Sequence, residues 1–523
     1  MAGEDLRRYP DASTLEADLA RRHGVQPDEV LVTAGGDDAI DRLCRRYLQG
    51  GRTLNLTAPT FSMFFHHARL AGGNTCTVPW WSGAYPVAAM ADSVGEDTGL
   101  VAVVSPNNPT GAVLTPEELT ELRRATGDRV LLLDAAYAEF GEIDLTSLAL
   151  SLPQTLVLRT LSKAWGLAGL RVGYLLGPAA ILKELRAWGA PYAVAGTSLA
   201  LARQALGQGD PAMQATITAV RRNRDRLAGL LGELGACPQE SQANFILCRP
   251  PRADFLIQGL VALGVSVRGW KDDAELRDRV RITVPACPQE YATLERALRC
   301  VLAPEALLLD MDGVIADEGP SYRETIIQVA ADEGVALTRQ AIAAAKAAGG
   351  ANNDWELTRR LLAQRGVRLS LMEVTRRFQD IYLGTAGKPG LCARETLIPD
   401  RSVLEGLART LPLAIVTGRP RADAEAFLRR FDLEGLFQTV ICLEDATPKP
   451  DPAPVNLACR NLGVRRAWMV GDTPDDIVAA QGAGVLPLGI APPSPLDDTR
   501  EALAQAGAAL ILPSLTSLKE ILP

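Results

Sequence analysis

The sequence predicts an α/β protein of two fused catalytic domains, and three observations carry that expectation. Short apolar runs ending in polar or turn residues alternate with helical patterns along both halves, the rhythm of parallel sheets joined by crossover helices. Two chemically unrelated sets of polar residues follow such runs in succession, Ser162-Lys163 with Arg171 and then Asp310-Met311-Asp312-Gly313. At 523 residues the chain is too long for one ordinary core and suits two or more domains.

Composition narrows the class. Hydrophobic residues make up 47% and aromatics only 5%, which fits an aliphatic α/β enzyme better than an aromatic-rich β protein. A net charge of -8 without any basic block gives nucleic-acid binding no electrostatic support. The nine cysteines form no CxxC pair, and His23, His66 and His67 complete no zinc set with them, so reduced thiols in a cytoplasmic protein are expected. No segment approaches the ~18 continuous apolar residues of a membrane span, and the acidic start Met1-Ala2-Gly3-Glu4-Asp5 is unlike a signal peptide.

In chain order, a short strand is expected at Glu29–Thr33 and buried strands at Val101–Ser105, Val130–Asp134 and Thr155–Arg159. A smaller lobe over 213–303 carries a helix through Arg221–Leu234 and strands near Phe245–Cys248 and Val280–Val284. The boundary is expected at Cys300–Pro304, dividing the chain into 1–303 and 304–523, because Leu307–Asp310 already begins a new strand. Strands follow at Ala306–Asp310, Leu413–Thr417 and Ala467–Asp472, with a helical, Ala- and Arg-rich insert over about 320–394 that suits a cap. Most strands end in a polar candidate, which is where open α/β sheets hold their sites. There is no tandem repeat and no low-complexity linker.

The first polar set supplies what a pyridoxal phosphate (PLP) enzyme needs: a Schiff-base lysine, a carboxylate for the pyridine nitrogen, donors for the ring oxygen and an anion cradle. Ala34-Gly35-Gly36-Asp37 opens a helix after a strand, so its amides can face a phosphate. Ser105-Pro106-Asn107-Asn108-Pro109-Thr110-Gly111 is a rigid turn with an amide side chain, and Asp134 ends a strand with Tyr137 three residues on. Thr160-Leu161-Ser162-Lys163 provides the amine, and Arg171 a cation for the phosphate. Each piece alone is weak, since a Gly-Gly turn is mostly just a turn and a lone Ser-Lys a surface pair; the ordered set is specific. Lysine is also scarce, seven of the 54 basic residues, so lysines at both chemically demanded positions, 163 and 449, are informative.

From Tyr9-Pro10-Asp11 through Arg281-Ile282-Thr283 this half resembles the fold-type I aminotransferases, most closely the histidinol-phosphate aminotransferase family. The resemblance implies a PLP-dependent transferase fold, a large domain with a small C-terminal lobe. It implies that Lys163 binds the cofactor covalently and shuttles a proton, that Asp134 pairs with the pyridine nitrogen, and that Asn108 and Tyr137 hydrogen-bond the ring oxygen. Gly36, Asp37, Ser162 and Arg171 would hold the phosphate, with Phe61 of Pro59-Thr60-Phe61 stacked over the ring. Tyr9 matches a residue that reaches the neighbouring subunit's phosphate, which implies a homodimer, and Arg281 is the expected anion receptor for substrate. Members of that family carry an Asn-Glu-Asn-Pro-Tyr-Gly type arm before the Tyr-Pro element, whereas this chain starts almost at Tyr9. Either the start was assigned late or the site is more open than in its relatives.

In the second set, Asp310 and Asp312 share a face in extended geometry. A turn there lets the first attack phosphorus while the second reaches the leaving oxygen. Thr417-Gly418-Arg419 adds a hydroxyl and amides, Lys449-Pro450 a cation, and Gly471-Asp472-Thr473-Pro474-Asp475-Asp476 carboxylates for a hard Mg²⁺ ion. In that order they resemble the haloacid dehalogenase (HAD) superfamily over 304–523, a Rossmann-like domain whose helical cap is similar to that of the phosphoglycolate-phosphatase-like branch. The resemblance implies Asp310 as nucleophile, Asp312 as general acid and then base, and Thr417 and Lys449 on the phosphoryl group. Asp310, Asp472 and the Asp312 backbone oxygen would bind Mg²⁺, with Asp476 in support. The second aspartate favours a phosphatase over a dehalogenase, because it can protonate an alkoxide leaving group. Asn352-Asn353-Asp354-Trp355 in the cap either sets substrate choice or is a structural corner.

The reading that joins the halves is a bifunctional enzyme. It would transaminate a phosphorylated keto compound with glutamate as donor, then hydrolyse the phosphate ester, with histidinol phosphate as the shared compound. A pair acting on other phosphorylated metabolites, of phosphoserine type or in a natural-product route, has the same logic. A protein with one active domain and one regulatory domain is the alternative from a different class.

Overall fold

The computed structural model describes residues 7–350, 353–491 and 499–522. The acidic start Met1–Asp5 and Asn352 of the cap therefore lie outside the described residues. The chain divides into two compact units, Met1–Pro251 with Asp272–Tyr291, and Arg252–Lys271 with Ala292–Pro523. The division does not follow the chain linearly: 252–271 and 292–303, expected in the smaller lobe, group with the second unit.

The first unit is built on a seven-stranded sheet in the order β1-β7-β6-β5-β4-β2-β3. The strands are β1 (Val30–Thr33), β2 (Thr53–Ala58), β3 (Asn74–Pro79), β4 (Thr98–Val104), β5 (Val130–Asp134), β6 (Thr155–Thr160) and β7 (Gly173–Leu176). All neighbours are parallel except that β7 runs antiparallel to both β1 and β6. The apolar runs are strands because successive side chains point to opposite faces and both faces are covered. Leu100, Ala102 and Val104 join one core with Leu132 and Leu156, while Val101 and Val103 join the other with Leu131, Leu133 and Val157. Each such leucine contributes about 1.5–3 kcal/mol by leaving water.

The helix Gly36–Tyr47 follows β1, with Asp37 and Asp38 in its first turn and Arg45 and Arg46 in its last, matching its dipole. A later helix runs over Asp210–Glu233, longer than the expected Arg221–Leu234; Asp210-Pro211 at its first positions is the start signal. Phe245–Cys248 pairs antiparallel with Val280–Thr283, setting Arg281 opposite Leu247.

The second unit carries a six-stranded parallel sheet. Its strands lie in the order Phe437–Ile441, Leu413–Val416, Ala306–Leu309, Ala467–Gly471, Leu486–Ile490 and Leu510–Leu512. Helices Glu324–Asp332, Arg339–Ala347, Asp354–Ala363 and Leu371–Tyr382 form the insert, around a core that includes Ile326, Leu357 and Phe378. The chain enters and leaves the insert through two short antiparallel strands, Ala316–Asp317 and Thr396–Leu397. Within this unit Trp468 is fully buried, donates from Nε1 to the Cys300 carbonyl at 2.8 Å and meets the Phe255 ring at 5.4 Å.

Candidate active sites

In the first unit the carboxyl ends of β4, β5 and β6 converge on a cavity of about 150 Å³. Lys163, Asp134, Asn108 and Tyr137 line it together with Phe61. Gly36, Asp37, Ser162 and Arg171 line it as well. The helix that starts at Gly36 thus presents its N-terminus to the cavity, where backbone N–H groups and the dipole favour an anion. Gly35 just before it has φ +82°, and a Cβ there would meet Nη2 of Arg171 at 2.5 Å, so only glycine lets the guanidinium lie over the turn. Arg171 also pairs with Asp37 at 3.0 Å, both side chains about half exposed.

Asp134 is buried and accepts the Ala136 amide at 3.0 Å. Burial pushes its pKa up to about 6, while that hydrogen bond and the Lys163 charge pull it down. A buried carboxylate at a cavity wall fits a protonated ring nitrogen. The Lys163 ammonium lies 5.2 Å from the centre of the Tyr137 ring. The turn that carries Asn108 is braced by Asn107, which accepts from Thr60 at 2.8 Å and donates to the Pro59 carbonyl and Thr110 hydroxyl, each at 2.9 Å. Arg281 does not line the cavity but donates to Asn108 Oδ1 at 2.5 Å. Tyr9 stands elsewhere: it is 79% exposed and stacks on Tyr192 at 4.6 Å. The donors, the buried carboxylate and the anion-favouring helix end together fit PLP.

In the second unit Asp310, Thr417 and Asp472 each fall one residue past a strand, in the turn rather than at the strand end. One oxygen from each of Asp310, Asp472 and Asp476 lies within 4.8 Å of the others. Lys449 donates to Asp310 at 2.7 Å, to Asp476 and to the Val416 carbonyl at 2.9 Å. Burial raises Asp310 to about 7, Lys449 opposing and Asp476 and Asp312 adding to the rise. Burial also lifts Asp472 well above the ordinary carboxylate range, with Asp310 and Asp476 adding to it. Three crowded carboxylates against one ammonium fit a divalent cation. Gly313, at φ +72°, lets the loop close on Asp472, whose Oδ2 would lie 2.1 Å from a Cβ there.

Asp312 points another way. Its Oδ1 accepts from Nε and Nη2 of Arg419 at 2.8 and 2.5 Å. Burial pushes Asp312 up, but the Arg419 charge and hydrogen bonds outweigh it and hold the carboxyl below its usual range. Thr417 accepts the Arg419 amide at 3.1 Å. A hollow of about 20 Å³ beside Asp312 is lined by Tyr322, Asn353, Asp354 and Trp355 from the insert. Asp354 lies 3.3 Å from the Lys346 ammonium.

The sequence model of the class I and II aminotransferases matches residues 1–299. The chain belongs to that family. The model of the haloacid dehalogenase-like hydrolases matches residues 304–484, so this aminotransferase carries a hydrolase domain as well. A histidinol-phosphate aminotransferase from Xanthomonas euvesicatoria pv. vesicatoria is 35% identical over 308 residues, 56% of this chain and 84% of the relative. An imidazoleglycerol-phosphate dehydratase from Phytophthora nicotianae is 43% identical over 237 residues, 42% of this chain; the chain spans about half, 52%, of that relative's length. The crystal structure of histidinol-phosphate aminotransferase from Sinorhizobium meliloti in complex with pyridoxal-5'-phosphate aligns with a TM-score of 0.52 at 25% identity, covering 57% of this chain and 83% of that one. No helix among the described residues is long and apolar enough to cross a membrane.

Several residues of this aminotransferase's hydrolase domain escape sequence reasoning. The sequence points to Arg419 only through its backbone, and it does not point to Lys346, to Glu395, to Glu318, which accepts from Arg323 at 2.7 Å, or to Asp423, which accepts from the Tyr322 hydroxyl at 3.0 Å. Their partners are mostly distant in sequence, as with Arg419 and Asp312, 107 residues apart. A charged residue inside the apolar pattern of the insert, such as Lys346 beside Ala345, was the one local signal.

Proposed function

We propose that the chain is a bifunctional enzyme that makes an amino phosphate ester by transamination and then hydrolyses the ester, with histidinol phosphate as the shared compound. The observation that carries this reading is one chain holding both the cavity of Lys163 and Asp134 and the carboxylate set of Asp310, Asp472 and Asp476. In the first unit PLP would supply an electron sink for charge formed at the substrate's Cα. Lys163 would hold it and move the proton at that carbon, and Asp134 would keep its ring nitrogen charged. The bond from Arg281 engages Asn108 Oδ1, which leaves the Asn108 N–H donors to the ring oxygen beside Tyr137. The Gly36 amide, Ser162 and Arg171 would hold the cofactor phosphate, and Arg281 an anionic group of the substrate. Glutamate is the proposed donor, and a homodimer through this half the proposed assembly.

In the second unit an oxygen of Asp310 would bond to phosphorus as the P–O bond to the alcohol breaks, Asp312 giving the leaving oxygen its proton. Water would then attack the phosphorus as its bond to the Asp310 oxygen breaks, Asp312 taking the water's proton, which releases inorganic phosphate and restores the Asp310 carboxylate. The incoming phosphoryl dianion opposes the Arg419 charge and favours the protonated form of Asp312. Asp310, Asp472, Asp476 and the Asp312 backbone oxygen would hold Mg²⁺, which neutralises phosphoryl oxygens, while Thr417 and Lys449 hold the group itself. The names of the relatives support the substrate. Dehydrating a glycerol phosphate gives an acetol phosphate, a ketone of the kind the first site would aminate. All nine cysteines are free thiols, which suits the cytoplasm.

The deciding measurement uses the protein with PLP and Mg²⁺. Phosphatase kcat/KM is compared on histidinol phosphate, phosphoserine and phosphoglycolate, alongside glutamate-dependent amination of imidazole acetol phosphate. Histidinol phosphate should win by at least about tenfold, ~1.4 kcal/mol in transition-state binding. A tenfold win for either competitor would overturn the histidinol assignment and leave the transaminase–phosphatase reading standing.

A further inference from the structure

We propose that Arg419 is a positioning residue for the hydrolase reaction, holding Asp312 by one oxygen and tying it through Glu395 to the hinge of the helical insert. The proposal rests on the phosphatase reading above and names what aligns its proton transfer.

Arg419 is 1% exposed, and every edge of its guanidinium is engaged. Nε and Nη2 donate to Asp312 Oδ1 at 2.8 and 2.5 Å, while Nη1 donates to Glu395 Oε2 at 3.0 Å and to the Tyr382 hydroxyl at 3.5 Å. The rings of Tyr322 and Phe427 flank it, their centres 4.9 and 5.4 Å from Cζ. A planar fork gripped in this way has one orientation. Burying such a charge is costly, and it is sustained here by two carboxylates on opposite sides.

The consequence for Asp312 is geometric. Both bonds end on Oδ1, so the carboxyl plane is set and Oδ2 is the oxygen that can carry a proton to the leaving group. An aspartate on its own rotates about two side-chain bonds, and a proton donor misplaced by about 1 Å can lose a hundredfold in rate. Nothing else in Thr417-Gly418-Arg419 needs a charge, since the threonine hydroxyl and the amides suffice for phosphoryl oxygens.

Glu395 adds the link to the insert. It immediately precedes Thr396–Leu397, the returning strand that pairs with the outgoing Ala316–Asp317. From the outgoing side Ser321 donates to Glu395 Oε1 at 2.7 Å, and the Tyr382 hydroxyl does so at 3.2 Å. Both chain crossings into the insert therefore meet at Glu395, and Glu395 meets the guanidinium that grips Asp312. A shift of the hinge reaches the proton donor through a single side chain.

The test exploits leaving groups. An alkyl phosphate needs its leaving oxygen protonated, whereas p-nitrophenyl phosphate expels a stable phenolate. The full chain with PLP and Mg²⁺ is assayed on p-nitrophenyl phosphate and on the better of histidinol phosphate and phosphoserine. Arg419→Gln should lower kcat on the alkyl ester by about a hundredfold or more, the scale of general-acid catalysis, with KM changed by less than about threefold. The loss on p-nitrophenyl phosphate should stay below about tenfold, and Arg419→Lys should recover part of the alkyl activity. Glu395→Gln, which touches no reacting group, should cost about tenfold on the alkyl ester with the same selectivity, and it decides alone if Arg419→Gln does not fold. Equal losses on both esters, or no loss on the alkyl ester, overturn the proposal. A parent protein that hydrolyses neither ester overturns the phosphatase reading itself.

Discussion

The two sites are built on opposite plans. Around Lys163 the functional groups line a cavity of about 150 Å³, and its buried carboxylate is held by a neighbouring backbone group. Asp134 leans on the Ala136 amide, and the ion pair of Arg171 with Asp37 is about half exposed. Around Asp310 the groups hold one another, with Lys449 on Asp310 and Asp476, and Arg419 on Asp312 and Glu395, beside a hollow of only about 20 Å³. A site of the first kind can lose a chemical group and keep its shape. In the second kind each group is also structural, and substitutions there should be non-additive.

The largest effects test whether the sites are self-contained. Lys163→Ala should lower transamination by at least about a thousandfold and leave phosphatase activity within about twofold. Asp310→Asn, which hardly changes volume, should do the reverse. Borohydride reduction of the PLP-loaded protein, followed by peptide mass analysis, should put the label on Lys163 and nowhere else. Loss of both activities from either folded variant would show coupled sites and break the comparison.

Stability should separate the plans next. Lys449→Met leaves Asp310 and Asp476 without their shared ammonium, both side chains being 7% exposed or less. Orphaning a buried ionic group costs about 3–5 kcal/mol, until the carboxyls take up protons. Arg171→Met breaks a pair in contact with water and should cost no more than about 1 kcal/mol. Urea unfolding, followed by the fluorescence of the seven tryptophans, measures both. Equal costs would mean that the cluster is less interdependent than its geometry implies.

Much of this was legible in the sequence because it is local. A run such as Val130–Asp134 reports its strand by composition and its site by the carboxylate that ends it, and Ser162-Lys163 with Arg171 spans only ten residues. The long-range parts left no pattern. Nothing around Glu395 signals that it meets Arg419, because the contact joins a hinge to a sheet loop. Nor does the periodicity near Tyr9 foretell an exposed ring stacked on Tyr192. The early start of the helix at Asp210 was readable from Asp-Pro, but the run of small and polar residues after it hid the apolar stripe of Met213, Ile217 and Val220.

The smallest predicted effect concerns ownership of sequence. The family matches change over between residues 299 and 304, which assigns Phe255 to the aminotransferase part. Its ring nevertheless packs edge-on against Trp468 on the hydrolase sheet, 5.4 Å centre to centre. The helix that carries it, Ala253–Ala262, is tied to the same unit at Gly259, where a Cβ would stand 2.8 Å from Val301 and 3.3 Å from Leu486. The Trp468 indole N–H also donates to the Cys300 carbonyl at 2.8 Å. Phe255→Ala should therefore weaken the hydrolase unit, by roughly 2–3 kcal/mol given that the ring is not wholly buried. The expected readout is a lower temperature for irreversible loss of phosphatase activity, with the transaminase lost at its usual temperature. If the transaminase fails first instead, Phe255 belongs energetically to the part of the chain that its sequence match suggests, and the interleaved division of the two units is wrong.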